Sequence, residues 1–195
     1  MGHRYAKLMF SPAAKALQSQ GRSRDTYARM EQGEDYNYLL SDKEAQFIRQ
    51  RDSLYMASVS ESGWPYVQHR GGPPGFIKVL DAATLGFADY RGNRQYISAG
   101  NVQSNNRVSL FLMDYPNRRR LKVAGRLEFV DPDDARLQAL LDPNYRARIE
   151  RGVLIHIAAF DWNCPQHITP RYTDADIDRM VEQRLRELGV DPNQQ

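Results

Sequence analysis

The residues best suited to chemistry lie between Phe76 and Gln95. Two apolar runs there lead into the polar stretch Asp89-Tyr90-Arg91-Gly92-Asn93-Arg94-Gln95. A loop of this kind at the end of a strand sets Asn93, Arg94 and nearby amides together, and a guanidinium fork can grip a phosphate dianion through two parallel hydrogen bonds. A short helix beginning near Gln95 would add its free N–H groups to the same anion site. The residues fit equally well a hairpin whose arginines face solvent. His69 and His167 are candidate proton donors or substrate contacts, because imidazole titrates near neutral pH. The plainer role, bonding to a backbone carbonyl, is slightly favoured for each. Cys164 and His167 have the spacing of two metal ligands, but no second close pair completes a zinc site, so no metal is expected.

Several other chemistries lack their signatures. No GxGxxG follows a strand, and Gly71-Gly72-Pro73-Pro74-Gly75 cannot replace it, since its two prolines remove donors that a phosphate cradle needs. There is no Walker loop and no GxSxG elbow.

The elements that must position these residues divide into a helical lead-in and a β core. Ser11-Pro12 starts a helix that Gly21 ends, a second short helix covers Asp25 to Gln32, and Ser41 with Glu44 forms a capping box ahead of a helix through Arg51. From Ser53 the pattern changes to short β-branched and aromatic runs separated by turn residues. Strands are expected over Leu54–Ser60, Pro65–Arg70, Phe76–Leu80, Leu85–Ala88, Val108–Met113, Leu121–Val130 and Val153–Phe160. A short helix fits within Asn93–Val102, another spans Pro132–Leu141, and a last one runs from Thr173 to Leu188. The expected fold is mainly β with flanking helices, a barrel or strongly curved antiparallel sheet. Its expected divisions are a helical extension over 1–52, a barrel over 53–172 and a C-terminal helix over 173–195 packed on it.

Composition narrows the class. The 195 residues suit one domain, and 27 basic residues stand against 24 acidic ones, a net charge of +3 that gives nucleic acid little to bind. Arg118-Arg119-Arg120 is the one unbroken basic run, read as a solvated hairpin end. No stretch approaches the roughly 20 apolar residues of a membrane span, and the first residues lack the apolar core of a signal peptide. With a single cysteine offering no intramolecular disulfide, the cytoplasm is the expected compartment.

The run from Phe76 to Gln95 resembles, without gaps, the pyridoxamine 5'-phosphate oxidase-like flavoproteins, whose fold is an FMN-binding antiparallel split β-barrel. Pro65 to Arg70 looks like that family's arginine-bearing strand, Lys78 matches its strand lysine, and Asn93-Arg94 matches its Ser-Arg phosphate loop. Asn106 to Phe111 and Val123 to Glu128 are similar to two later strands, and Trp162 and Arg171 resemble the pair flanking the isoalloxazine ring. Phe160 to Ile168, with Tyr66 to Gly75, looks still more like an uncharacterised bacterial flavin-nucleotide-binding branch.

The resemblance implies FMN contacts at Arg70, Phe76, Ile77, Lys78, Asp89, Tyr90, Asn93, Arg94, Gln95, Arg120, Trp162 and Arg171. It also implies a homodimer with the cofactor between subunits. The function expected is that of an FMN-dependent oxidoreductase acting on a small molecule. The alternatives are a flavin-binding or storage protein without turnover, and a relative that uses a deazaflavin. Four departures stand out. Gln95 replaces the second basic residue of the phosphate loop, and Arg120 stands where the family has a glutamine. The Gly-Pro segment adds residues between Arg70 and Lys78, and His167 with Thr169 replaces the Arg-x-His pair that holds the oxidase's substrate. Oxidation of pyridoxamine phosphate itself is therefore not expected.

Overall fold

Capping chemistry shapes the N-terminal third. In the computed structural model, which describes residues 2–189, a two-residue strand β1 (Gly2–His3) leads into α1 (Arg4–Met9), α2 (Pro12–Gln20) and α3 (Arg24–Met30). The Ser11 hydroxyl accepts from the Ala14 amide at 3.2 Å and Pro12 opens α2, as the residue types require. Strand β2 (Asp35–Tyr36) pairs in parallel with β1, and α4 (Asp42–Arg49) follows, its capping box closed by the Ser41 amide on Glu44 at 3.2 Å. Neither α1 nor the small parallel ribbon is visible as a sequence pattern, because two-residue strands have no periodicity. α4 buries Ala45, Phe47 and Ile48, the face its apolar spacing marks out.

The alternating segments then form β3 (Ser53–Val59), β4 (Pro65–Gly71), β5 (Lys78–Asp81) and β6 (Thr84–Tyr90). After α5 (Ile97–Ser104) come β7 (Arg107–Asp114), β8 (Arg119–Val130), β9 (Ile149–Trp162) and finally α6 (Asp174–Glu187). The seven strands β3 to β9 make one sheet in the order β4-β3-β7-β8-β9-β6-β5, with every neighbouring pair antiparallel. Inward positions meet in one core, including Leu54 and Met56 of β3, Leu85 and Phe87 of β6, Leu112 of β7, Leu121 of β8 and Ile155 of β9, with Phe47 and Ile48 of α4 beside them. Each such side chain contributes about 1.5–3 kcal/mol by leaving water. The sheet curls strongly enough that Arg70 on edge strand β4 forms an ion pair with Asp89 on β6, near the opposite edge. This is the α+β split-barrel arrangement.

Two local differences from the sequence reading have physical reasons. Phe76 and Ile77 precede β5 rather than belonging to it. The Phe76 amide bonds back to the Pro73 carbonyl at 2.9 Å, and both side chains drop into the core. The helix expected over Pro132–Leu141 is a 3-10 turn, Ala135–Leu140, capped by Asp134; its buried residues, Leu137 and Leu140, lie three apart, which suits three residues per turn. α6 has the expected Thr173 cap but buries none of its residues, leaving Ile177, Met180 and Val181 half exposed. No helix among the described residues is long and apolar enough to cross a membrane.

Gly125 shows how closely the strands approach. It sits where the register of β8 on β9 shifts, and a Cβ there would stand 2.7 Å from Ile155 Cγ2 and 2.8 Å from the His156 carbonyl oxygen. A backbone carbonyl in a sheet interior cannot yield cheaply. Gly125→Ala is expected to cost about 2 kcal/mol, lowering Tm by roughly 4–8 °C. An unchanged melting curve would show that the strands have slack there.

Candidate functional site

A cleft opens where β6 gives way to α5. Gln68 and Arg70 of β4, Asp89 and Tyr90 of β6, Asn93 to Tyr96 of the loop, Ser98 of α5 and Glu150 of β9 line it. Backbone chirality shapes the loop: Arg94 and Tyr96 both take left-handed conformations, at φ 62° and 53°. Each costs about 1 kcal/mol for a residue with a Cβ, a cost that other contacts must offset. The Asn93 side chain accepts from the Gln95 amide at 3.2 Å, holding the turn before α5 begins. The helix is then pinned to the sheet by the Ser98 hydroxyl donating to Gln68 at 2.9 Å and by Asn101 donating to the Ser58 hydroxyl at 2.9 Å.

Charge concentrates in this cleft. Arg70 pairs with Asp89, which Arg151 approaches at 3.5 Å; burial pushes the Asp89 carboxyl above its ordinary value, with Arg70 and Arg151 pulling the other way. The Arg70 Nε is buried and has no partner. Glu150 accepts from the Tyr96 hydroxyl at 3.2 Å and lies 3.9 Å from Arg91 and 3.7 Å from Arg151. The Arg94 Nε donates to the Tyr96 hydroxyl at 3.0 Å, while its two terminal nitrogens have no partner among the described residues. Arg94 thus presents two unused terminal nitrogens at the cleft, a fork that suits an oxyanion, whereas the orphaned Arg70 Nε is shut off from it by burial.

Of the residues singled out in the sequence, Arg70, Asp89, Tyr90, Asn93, Arg94 and Gln95 meet here. The others lie elsewhere. Phe76 and Ile77 are buried in the core, and Lys78 is half-buried on β5 opposite Gly86. Arg120, on β8, has a buried Nε with no partner, a second orphaned arginine donor. Arg171 lies over the Tyr115 ring at 4.7 Å, in a second cleft with Arg51 and Asp114. His69 is exposed with its ring edge-on to Tyr55, and His167 is exposed at φ 62°. Neither histidine lines the arginine cleft. Among the described residues no three His, Cys, Asp or Glu side chains group closely enough for a metal ion, and Cys164 is exposed. Sequence reasoning missed Tyr96 and Glu150. No local pattern signals a left-handed tyrosine, and Glu150 lies 54 residues further along the chain.

Trp162 is held from an unexpected direction. Its indole N–H donates to Glu44 Oε1 at 2.7 Å, and its ring packs edge-on against Phe47 at 4.8 Å. Burial raises the Glu44 carboxyl, yet donors from the Ser41 hydroxyl, Trp162 and two backbone amides outweigh it and hold the pKa below the ordinary value. The stability this gives is present above the usual carboxylate pKa of about 4.3 and lost as pH falls through the lower folded value. Acidification below about pH 4 should therefore release Trp162 and shift its emission to the red, with the exposed Trp64 as a constant background. Glu44→Gln should abolish this acid step; the same step in that variant would assign it to another carboxylate.

A curled antiparallel sheet with an arginine-rich cleft at its strand-to-helix loop defines a protein of the split-barrel class. Comparison with known families agrees: the description of pyridoxamine 5'-phosphate oxidase matches residues 40–162, and the chain belongs to that family, which is of the flavin-binding oxidoreductase type. Among solved structures, HupZ of Group A Streptococcus shares the fold at 14% identity, covering 69% of this chain and 100% of that one with a TM-score of 0.53. A candidate pyridoxamine 5'-phosphate oxidase of Lactobacillus delbrueckii does so at 20% identity over 64% of this chain and 94% of that one, with a TM-score of 0.50. No curated protein matches the chain.

Proposed function

We propose that this protein is an FMN-binding oxidoreductase acting on a small molecule, with the cofactor phosphate held at the loop from Asn93 to Tyr96. The observation that carries the reading is the exposed Arg94 guanidinium, whose terminal nitrogens are unused among the described residues, at a cleft that Arg70 also lines. Charge supports it. Arg70, Arg91, Arg94 and Arg151 stand against Asp89 and Glu150, leaving about two positive charges; a phosphate monoester carries about −1.5 to −2 at neutral pH. Arg91 and Arg151 thus supply positive charge that Gln95 does not.

FMN, when bound, supplies hydride and electron transfer. The protein's part is to bind, orient and tune. Arg120, half-buried on β8, is the candidate for a place beside the ring edge, where its positive charge would stabilise the negative charge that develops on reduction. Trp162 and Arg171 do not line the phosphate cleft, and this favours a homodimer in which a second copy brings them to the ring. His69 and His167, both exposed, are the candidate proton donors.

A second reading, a flavin-binding protein without turnover, is favoured by one observation: both histidines lie outside the cleft. The FMN-loaded protein reduced with NAD(P)H, or with a screened amine, separates the two. Rapid reoxidation by oxygen is expected for the enzyme, and inert bound flavin would establish the binding protein. Mass spectrometry of the released ligand distinguishes FMN from a deazaflavin.

A further inference from the structure

We infer that Tyr96 and Glu150 form a relay that fixes the Arg94 guanidinium in the cleft and so sets the preference for a phosphorylated over an unphosphorylated flavin. This inference rests on the phosphate-site reading above and adds two positioning residues to it.

The difficulty it resolves is that Arg94 is exposed. A free arginine side chain samples many rotamers, and ordering one on a ligand costs affinity. Here the ordering is done in advance. The Arg94 Nε donates to the Tyr96 hydroxyl at 3.0 Å, and that hydroxyl donates to Glu150 Oε1 at 3.2 Å. A phenol has one proton to give and lone pairs to accept with, so the chain runs in one direction without conflict. Using Nε for the relay leaves the two terminal nitrogens as a fork, the part of guanidinium that matches two phosphate oxygens.

The far end of the relay is anchored. Glu150 lies at the start of β9, between Ile149 and Arg151, which pair with Tyr90 and Asp89 of β6, and its carboxylate is flanked by Arg91 at 3.9 Å and Arg151 at 3.7 Å. A residue in an exposed loop is thereby tied to the start of β9, where that strand pairs with β6. The relay also accounts for a carboxylate beside a site otherwise suited to an anion: Glu150 faces cations and the phenol proton.

Tyr96→Phe is the clean test. The ring lies 5.4 Å from the Arg151 guanidinium and 5.9 Å from that of Arg94, and phenylalanine keeps both contacts while deleting only the hydroxyl. Dissociation constants for FMN and for riboflavin would be measured by flavin fluorescence on the wild type, Tyr96→Phe, Arg94→Ala and the double variant, with melting curves of each. Loss of one positioning hydrogen bond is expected to weaken FMN roughly 3–10-fold and to leave riboflavin and Tm unchanged. In the Arg94→Ala background the same change should do nothing further, because the group it positions is gone. If Arg94→Ala separates FMN from riboflavin but Tyr96→Phe does not, the relay is overturned and the phosphate site stands. Equal loss of both ligands in Tyr96→Phe would overturn the relay in favour of a structural role for the hydroxyl. If Arg94→Ala itself leaves FMN binding intact, both readings fall.

Discussion

Arg94→Ala is expected to raise the dissociation constant for FMN roughly 10–100-fold while leaving that for riboflavin unchanged. The two ligands differ only in the phosphate, so the ratio of their affinities isolates contacts to that group. Arg94 has the geometry for such a contact: its Nε is engaged by Tyr96 and its terminal nitrogens are unused. Lysine at this position would restore the charge but not the fork, so Arg94→Lys should recover only part of the loss. The effect should also shrink as salt rises, because an exposed charge is screened. Titration of flavin fluorescence with each protein checks all three statements. Equal losses for FMN and riboflavin would remove Arg94 from the phosphate site.

The largest stability effect is expected at the ion pair that joins the two ends of the sheet. Arg70→Ala leaves Asp89 buried, with only the more distant Arg151 for a partner, and should cost about 3 kcal/mol. Burial already holds the Asp89 carboxyl above its ordinary value, and loss of Arg70 removes the main opposing charge. The folded variant then binds more protons than the unfolded chain. Its deficit is therefore full above the folded pKa of Asp89 and shrinks as pH falls through it. Replacing both residues, as Arg70→Met with Asp89→Leu, should recover most of the stability, because an apolar pair leaves no charge stranded. Denaturant unfolding of the two single variants and the double variant measures the coupling. If the double variant is as unstable as the two losses added together, the pair is not coupled.

How much of this was legible in the sequence depends on the distance over which each signal acts. The capping box at Ser41 and Glu44, the cap at Ser11 and the alternation through β3, β7 and β8 are set by neighbours within a few residues, and the structure shows them close to where they were expected. The curl of the sheet is different. It joins Arg70 to Asp89 across two strands that are not neighbours, and nothing in either strand announces the partner. The arginine loop was legible as a candidate from its residue types, and six of the expected residues do meet in one cleft. Its mechanics were not: the left-handed backbone at Arg94 and Tyr96 belongs to residues that rarely adopt it, and Glu150 arrives from a distant strand. Trp162 makes the same point. Glu44 could be read as a helix cap, but its second bond, to an indole 118 residues away, could be found only in the folded chain. The family resemblance carried what local physics could not, in pointing to a flavin. The departures at Gln95, His167 and Thr169 are why the family's own substrate does not follow with it.

The most direct test of the flavin assignment is the absorption spectrum of the purified protein, followed by identification of whatever chromophore heat releases from it. The assignment predicts a yellow protein that releases FMN, or a colourless one that takes up added FMN with a matching change in spectrum. A colourless protein that fails to bind added FMN would contradict it.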